Sequence, residues 1–188
     1  MVLFHTFFFA DTNEVNTYMI GCSQTREVFL IDAGSDSPLY DHFLQENNAR
    51  LTGILLTHFH WDHDQALDEI ISRFDVPVYS MTGNTPNGKQ VTEGNSLPIG
   101  NLKNRLCITT GHTPDSLTLV VMNRIAFVGD AIFAGSIGGT PSEEKKQELK
   151  SHIRNKIFTL PDDTLLCSGH GPLTTVGIEK QWNPLMQD

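Results

Sequence analysis

At 188 residues, with 39% hydrophobic and 19% charged side chains, the chain has the size and composition of one globular domain, 1–188, that buries its core without disulfide staples. Its 22 acidic against 13 basic residues give a formal charge of −9, which argues against a nucleic-acid or anionic-membrane partner because little would neutralise phosphates. No apolar run reaches the ~18–20 residues of a membrane span. Cys22, Cys107 and Cys167 are far apart and form no C-x-x-C pair, so they read as small buried residues of a reducing compartment, and the expected location is cytoplasmic.

The opening stretch, MVLFHTFFFADT, has no positive n-region and is interrupted by His5 and Thr6, so a first strand is expected rather than a signal peptide. NTYMI and EVFLID flank a polar turn as a hairpin, closed by Asp32-Ala33-Gly34. In SPLYDHFLQENN, Ser37 is the expected N-cap, Pro38 takes the first helical position, and Leu39, Phe43 and Leu44 share a face. LTGILLT is a buried strand. Beyond it Ala66, Leu67, Ile70, Ile71 and Phe74 recur at helical spacing, which puts His58 and His60 in a strand-to-helix loop and Asp62 and His63 near the helix start. VPVYS is a short strand, and Met81 to Lys89 reads as loop. RLCITT precedes SLTLVVMNRIAFVGD, two strands about a turn at Met122-Asn123-Arg124. Thr140 as cap, Pro141 in the first turn and Glu143 closing a capping box announce a helix along which Leu149, Ile153 and Ile157 step at i+4. TLLCSGHG is the last strand with its exit loop. Strands followed by a helix in each half imply two sheets with helices outside.

Chemistry concentrates in LLTHFHWDHDQ, where three of the eight histidines (His58, His60, His63) crowd around Asp62. Imidazoles and carboxylates packed this tightly repel when charged, and a metal ion is the usual reason for such a cluster. His112 in TTGHTPDS, His170 in CSGHGPL and Asp130 in IAFVGDAIF each follow a β run, where side chains can converge at one sheet edge. His58, His60 and His112 make one possible three-nitrogen set; Asp62, His63 and His170 make another; Asp130 is available to bridge. His58 and His60, two apart in extended chain, can address one ion while Asp62 and His63 aim at a second position. Two ions ~3.5–4 Å apart can share a carboxylate and a hydroxide. His5, His42 and His152 have no such context and read as structural or surface. Asp64 reads as an N-cap, and Asp32 either orients a metal-bound histidine or closes a turn.

THFHWDH resembles the H-x-H-x-D-H signature of the metallo-β-lactamase superfamily, and GHTPDS, FVGDAIF and SGHGPLTTVG follow in that family's order. The resemblance implies an αββα four-layer sandwich of mixed α/β class with a di-metal site at one edge of its sheets. Carried over by position, it implies that His58, His60 and His112 bind one metal, that Asp62, His63 and His170 bind the other, and that Asp130 bridges. The ions implied are two divalent metals: zinc, with iron and manganese as alternatives. GDAIFAGSIGGT and SGHGPLTTVGIEKQWNP are similar to short bacterial relatives of glyoxalase II, or hydroxyacylglutathione hydrolase. This implies hydrolysis of a small-molecule thioester of the S-acylglutathione type by a metal-bridging hydroxide that Asp62 orients, with no serine or cysteine nucleophile. Two departures bear on glutathione. The family's lysine or arginine nine positions after the bridging aspartate is replaced here by Gly139, and the C-terminal helical domain of full-length glyoxalase II is not expected, because the chain ends soon after His170. The glycine often found shortly after the histidine motif is also missing from DQALDE. The alternatives are a mononuclear-iron persulfide dioxygenase, which would use His58, His112 and Asp130, and a metal-stabilised scaffold that binds without turnover.

Overall fold

A computed structural model describes residues 1–9 and 14–187 as two compact units, Met1–Val91 with Leu97–Lys103, and Thr92–Ser96 with Asn104 onward. Residues 10–12, the end of the apolar opening stretch, lie outside the described residues.

The first unit is built on a six-stranded sheet of order β1 to β6. β1 (Val2–Phe8), β2 (Asn16–Cys22) and β3 (Glu27–Ile31) form the antiparallel part, and the expected hairpin is the β2–β3 pair. β4 (Arg50–Leu55), β5 (Val78–Ser80) and β6 (Gly88–Gln90) then add in parallel to β3. β6 overlaps the end of the segment expected to be loop, Met81 to Lys89. It is an exposed three-residue edge strand whose Gly-Lys-Gln sequence carries no apolar signal. α1 (Pro38–Glu46) starts where expected, with Ser37 Oγ accepting from Leu39 N–H. Its inward face differs, however: Tyr40, Phe43 and Leu44 are buried while Leu39 is exposed.

The helix after the histidine cluster is broken into α2 (Trp61–Asp64), a single turn, and α3 (Leu67–Phe74). Asp64 therefore ends α2. The cap position of α3 is Ala66, which offers no side-chain acceptor, so the N-cap expected of Asp64 is not made. Met19, Leu30, Tyr40, Ile54, Ile70 and Val78 are among the side chains of this unit's core.

The second unit carries a five-stranded sheet of order β13-β12-β9-β8-β7. β7 (Asn104–Ile108), β8 (Leu117–Val121) and β9 (Ile125–Gly129) form an antiparallel meander. Its β8–β9 turn has Met122 and Asn123 both at φ 54°, the paired positive φ of a type I′ hairpin turn. β12 (Leu165–Ser168) lies parallel to β9, and β13 (Thr174–Thr175) lies antiparallel to β12. A small hairpin of β10 (Ile132–Phe133) and β11 (Ser136–Ile137) follows β9.

α4 (Glu143–His152) is capped by Ser142, whose Oγ accepts from Lys145 N–H; Thr140, two residues earlier, turns its hydroxyl to the Ser142 carbonyl instead. A π-helical turn over Ile153–Ile157 continues α4, and Leu149, Ile153 and Ile157 are buried as their spacing predicts. α5 (Val176–Trp182) closes the described fold. All three cysteines are free and buried, and no helix among the described residues is long and apolar enough to cross a membrane.

Candidate metal centre

Parallel strand pairs end side by side, and in each unit that brings chemistry-bearing residues to one sheet edge. In the first unit β3 runs out into Asp32 and β4 into Thr57 and His58, with Asp32 N–H donating to the Leu55 carbonyl at 2.9 Å. In the second, β9 runs out into Asp130 and β12 into His170, with Gly169 N–H donating to the Gly129 carbonyl at 2.9 Å. β7 is antiparallel to β8 and β8 to β9, so β7 also points its C-terminal end toward that edge, and His112 follows it.

In the first unit a buried carboxylate sets the histidines. Asp32, only 1% exposed and at φ +60°, accepts Thr57 N–H on Oδ1 at 2.8 Å and Thr57 Oγ1–H on Oδ2 at 2.9 Å. Its Oδ2 also lies 2.9 Å from Nδ1 of the buried His63. An ionised carboxylate only accepts, so hydrogen-bond accounting puts the proton of His63 on Nδ1 and the lone pair on Nε2. Thr57 Oγ1, having donated to Asp32, accepts from His58 Nδ1 at 3.1 Å, and the lone pair of His58 is likewise on Nε2.

That Nε2 stands 3.1 Å from Nδ1 of His60, which is exposed. Asp62 is half-buried on α2, beside His63. α2 is tied to the loop after β3 by Ala33 N–H donating to the His63 carbonyl at 2.7 Å. Burial pushes the Asp64 carboxyl above its usual range, against the opposing pull of His63.

In the second unit His112 sits in a tight turn after β7. Gly111 has φ +128°, and a Cβ there would stand 2.6 Å from the Leu149 Cβ and the Lys145 carbonyl of α4, so the turn needs glycine on two counts. His112 Nδ1 lies 2.6 Å from the Gly139 carbonyl, an acceptor, which again leaves the lone pair on Nε2. Oδ2 of the buried Asp130 is 3.4 Å from His112 Nε2 and 3.7 Å from His170 Nε2. The Phe133 ring meets the His170 ring edge-on at 6.1 Å between centroids.

These donors suit a divalent metal. Two ligand atoms held ~2.0–2.1 Å from a tetrahedral ion are ~3.3 Å apart, close to the 3.1, 3.4 and 3.7 Å found here for three donor pairs. Each of His58, His63 and His112 spends its Nδ1 proton on an oxygen, as metal-ligating histidines do. The first unit thus gathers His58, His60, Asp62 and His63, and the second gathers His112, Asp130 and His170. Asp32 takes the orienting role, one of the two considered for it. Thr57 was not anticipated, although a threonine between an apolar run and a histidine cluster is the available signal. Nor was the Gly139 carbonyl, since backbone acceptors leave no trace in side-chain identity.

His5, His42 and His152 are engaged elsewhere. His5 meets the Phe7 and Phe43 rings, exposed His42 pairs with Glu46, and His152 Nδ1 lies 3.0 Å from the Thr110 carbonyl.

A family model described as "Metallo-beta-lactamase superfamily" matches residues 10–96. Over 184 residues the chain is 34% identical to the "Probable metallo-hydrolase YqgX" of Bacillus subtilis (strain 168), a match covering 85% of this chain and 87% of that protein. The chain belongs to the metallo-β-lactamase superfamily. It is also 32% identical over 151 residues to a hydroxyacylglutathione hydrolase of Pseudoalteromonas translucida (strain TAC 125), a match covering 79% of this chain and 57% of that relative.

Among solved structures, the BLEG-1 B3 metallo-β-lactamase aligns with a TM-score of 0.86 at 30% identity over 99% of this chain and 100% of that one. ETHE1 from Myxococcus xanthus aligns with a TM-score of 0.86 at 30% identity over 97% and 83%. The mixed α/β class expected from the sequence is therefore that of the metallo-β-lactamase fold, and the histidine and aspartate clusters fit that superfamily's divalent-metal chemistry.

Proposed function

We propose that the chain is a binuclear metallohydrolase of a small-molecule thioester of the S-acylglutathione type. His58, His60 and His112 hold one ion, Asp62, His63 and His170 hold the other, and Asp130 serves both. The observation that carries this reading is Asp130 Oδ2, which lies 3.4 Å from a histidine of one set and 3.7 Å from a histidine of the other. A one-iron site of His58, His112 and Asp130 would leave His170 without a part. The thioester is supported by the hydroxyacylglutathione hydrolase relative, of which the chain spans little more than half. The structural likenesses do not choose a substrate, because a B3 metallo-β-lactamase and ETHE1 align equally well.

Bound ions would supply a water of lowered pKa and a Lewis acid for the carbonyl oxygen, and zinc is the proposed metal. The protein's own residues do the rest. Asp32 and Thr57 hold His63 and His58 in the tautomer that presents Nε2, and the Gly139 carbonyl does the same for His112. Asp62, half-buried beside His63, accepts a hydrogen bond from the attacking water and so orients it. Water adds to the thioester carbonyl, the C–S bond breaks, and the products are an acid and a thiol. The cysteines supply no nucleophile: Cys22, Cys107 and Cys167 are 2%, 5% and 1% exposed. The −9 charge supports a small-molecule substrate rather than a nucleic acid or a membrane.

The test is loss of thioester from S-D-lactoylglutathione with metal-loaded protein whose ion content has been measured. The expected result is two ions per chain and a saturable rate abolished by His58→Ala. Two ions with no rate would reject this substrate. One iron per chain, with oxygen consumed on a persulfide, would replace the hydrolase by the oxygenase.

A further inference from the structure

α5 contains a buried carboxylate that the proposed mechanism does not use. Glu179 is 1% exposed and Asn183, one turn on, is 0% exposed. Glu179 Oε1 accepts Thr174 Oγ1–H at 2.6 Å, and its Oε2 accepts Gly135 N–H at 3.0 Å and an Asn183 Nδ2–H at 2.8 Å. Asn183 Nδ2 donates in addition to the Ser136 carbonyl at 2.9 Å. Both side chains therefore grip Gly135 and Ser136, the tip of the β10–β11 hairpin. Burying a carboxylate among neutral donors is costly, and an apolar side chain would fill the space more cheaply. What the carboxylate adds is direction, because charge-assisted hydrogen bonds fix the donors they receive.

The hairpin lies between two residues of the metal centre. It begins just after Asp130 and ends at Gly138-Gly139. Gly138 is wedged so closely that a Cβ on it would stand 2.0 Å from the Asp130 carbonyl oxygen and 3.0 Å from His112 Cγ and Nδ1. The next carbonyl, that of Gly139, sets the His112 tautomer at 2.6 Å. A displaced hairpin tip has little slack before it moves that carbonyl.

We propose that Glu179 and Asn183 are positioning residues: they clamp the β10–β11 hairpin to α5 and through it hold the Gly139 carbonyl against His112 Nδ1. The inference rests on reading His112 and Asp130 as metal ligands, yet its geometric core can be tested without metal or substrate.

The measurement is the His112 Nδ1–H proton resonance of the metal-free protein, followed by zinc affinity of the same samples. Glu179→Leu removes both acceptors, whereas Glu179→Gln keeps one oxygen for Gly135 and Asn183 and turns its amide nitrogen to the Thr174 hydroxyl, which can accept. Glu179→Leu is expected to lose the slowly exchanging Nδ1–H signal and to weaken zinc binding by ~10-fold or more, while Glu179→Gln restores both. Leu160→Ala, a core truncation in the same unit, controls for general destabilisation and should keep the signal. Should Glu179→Leu not fold, Asn183→Ala, which deletes the Ser136 contact, is expected to speed Nδ1–H exchange by ~10-fold. Signal and zinc affinity unchanged in a folded Glu179→Leu or Asn183→Ala variant would reduce the pair to a structural staple and overturn the proposal. Failure of the metal-centre reading would look different: the wild-type protein itself would bind no zinc while the variants still lost the signal.

Discussion

Asp32 organises the first unit's histidines through both of its oxygens, and its effect should be separable from its bulk. In Asp32→Asn, the oxygen is best kept for Thr57 N–H, which leaves the amide nitrogen facing His63 Nδ1. A donor there forces the His63 proton onto Nε2, the atom proposed to meet the metal. The fold should survive, because the shape is kept, while affinity for one of the two ions falls by ~10–100-fold. Titrating zinc into the metal-free variant checks this: two equal tight sites would remove Asp32 from the centre. At this scale the sequence was most informative where side chains themselves carry the chemistry. His58, His60, His63, Asp62, His112, Asp130 and His170 are all visible as residue types after β runs. Thr57 was visible as a residue type but not in its role, and the Gly139 carbonyl was not visible at all, because the part of each consists of accepting one proton in a particular place.

Among elements, the sequence located nine of the thirteen strands found among the described residues, missing the short β6, β10, β11 and β13, but not which strands run parallel, and the parallel pairs decide which residues end side by side. Asp32 meets Thr57 because β3 and β4 share a direction over 25 residues of separation. The start of α1 was legible because Pro38 takes the first helical position and so marks Ser37, out of Ser35, Asp36 and Ser37, as the cap. Before α4 both Thr140 and Ser142 could cap, and the proline between them favoured the wrong one; only three-dimensional closure aligns Ser142 Oγ with Lys145 N–H. Ser142→Ala should therefore cost about 1 kcal/mol, whereas Thr140→Ala should cost a few tenths. Urea denaturation distinguishes them, and equal losses would return the cap to Thr140. The broken helix at α2–α3 escaped notice because apolar spacing resumes at Ala66 as though nothing had interrupted it.

For the molecule as a whole, the proposed ligand sets have a thermodynamic consequence. The first unit contributes His58, His60, Asp62 and His63, and the second His112, Asp130 and His170. An ion held by such a set must be released before the residues that hold it unfold, so binding free energy becomes folding free energy. At a free-metal concentration ~100 times Kd this adds about 2.7 kcal/mol, or roughly 5–11 °C in Tm for a chain of this size. Calorimetry with and without a chelator should show that loss for each ion removed. An unchanged profile would mean that no ion binds the folded chain in preference to the unfolded one.

The buried thiols also give each unit its own clock. Cys22 belongs to the first unit, Cys107 and Cys167 to the second. Backbone N–H groups, above all that of Thr25, bring Cys22 down to about 7, while burial pushes Cys107 and Cys167 up. Those environments last only while the sulfurs are covered, so each thiol can be alkylated only after its own unit opens, when its pKa returns toward that of an ordinary thiol. The order in which an alkylating reagent marks the three sulfurs would record which half of the molecule breathes first.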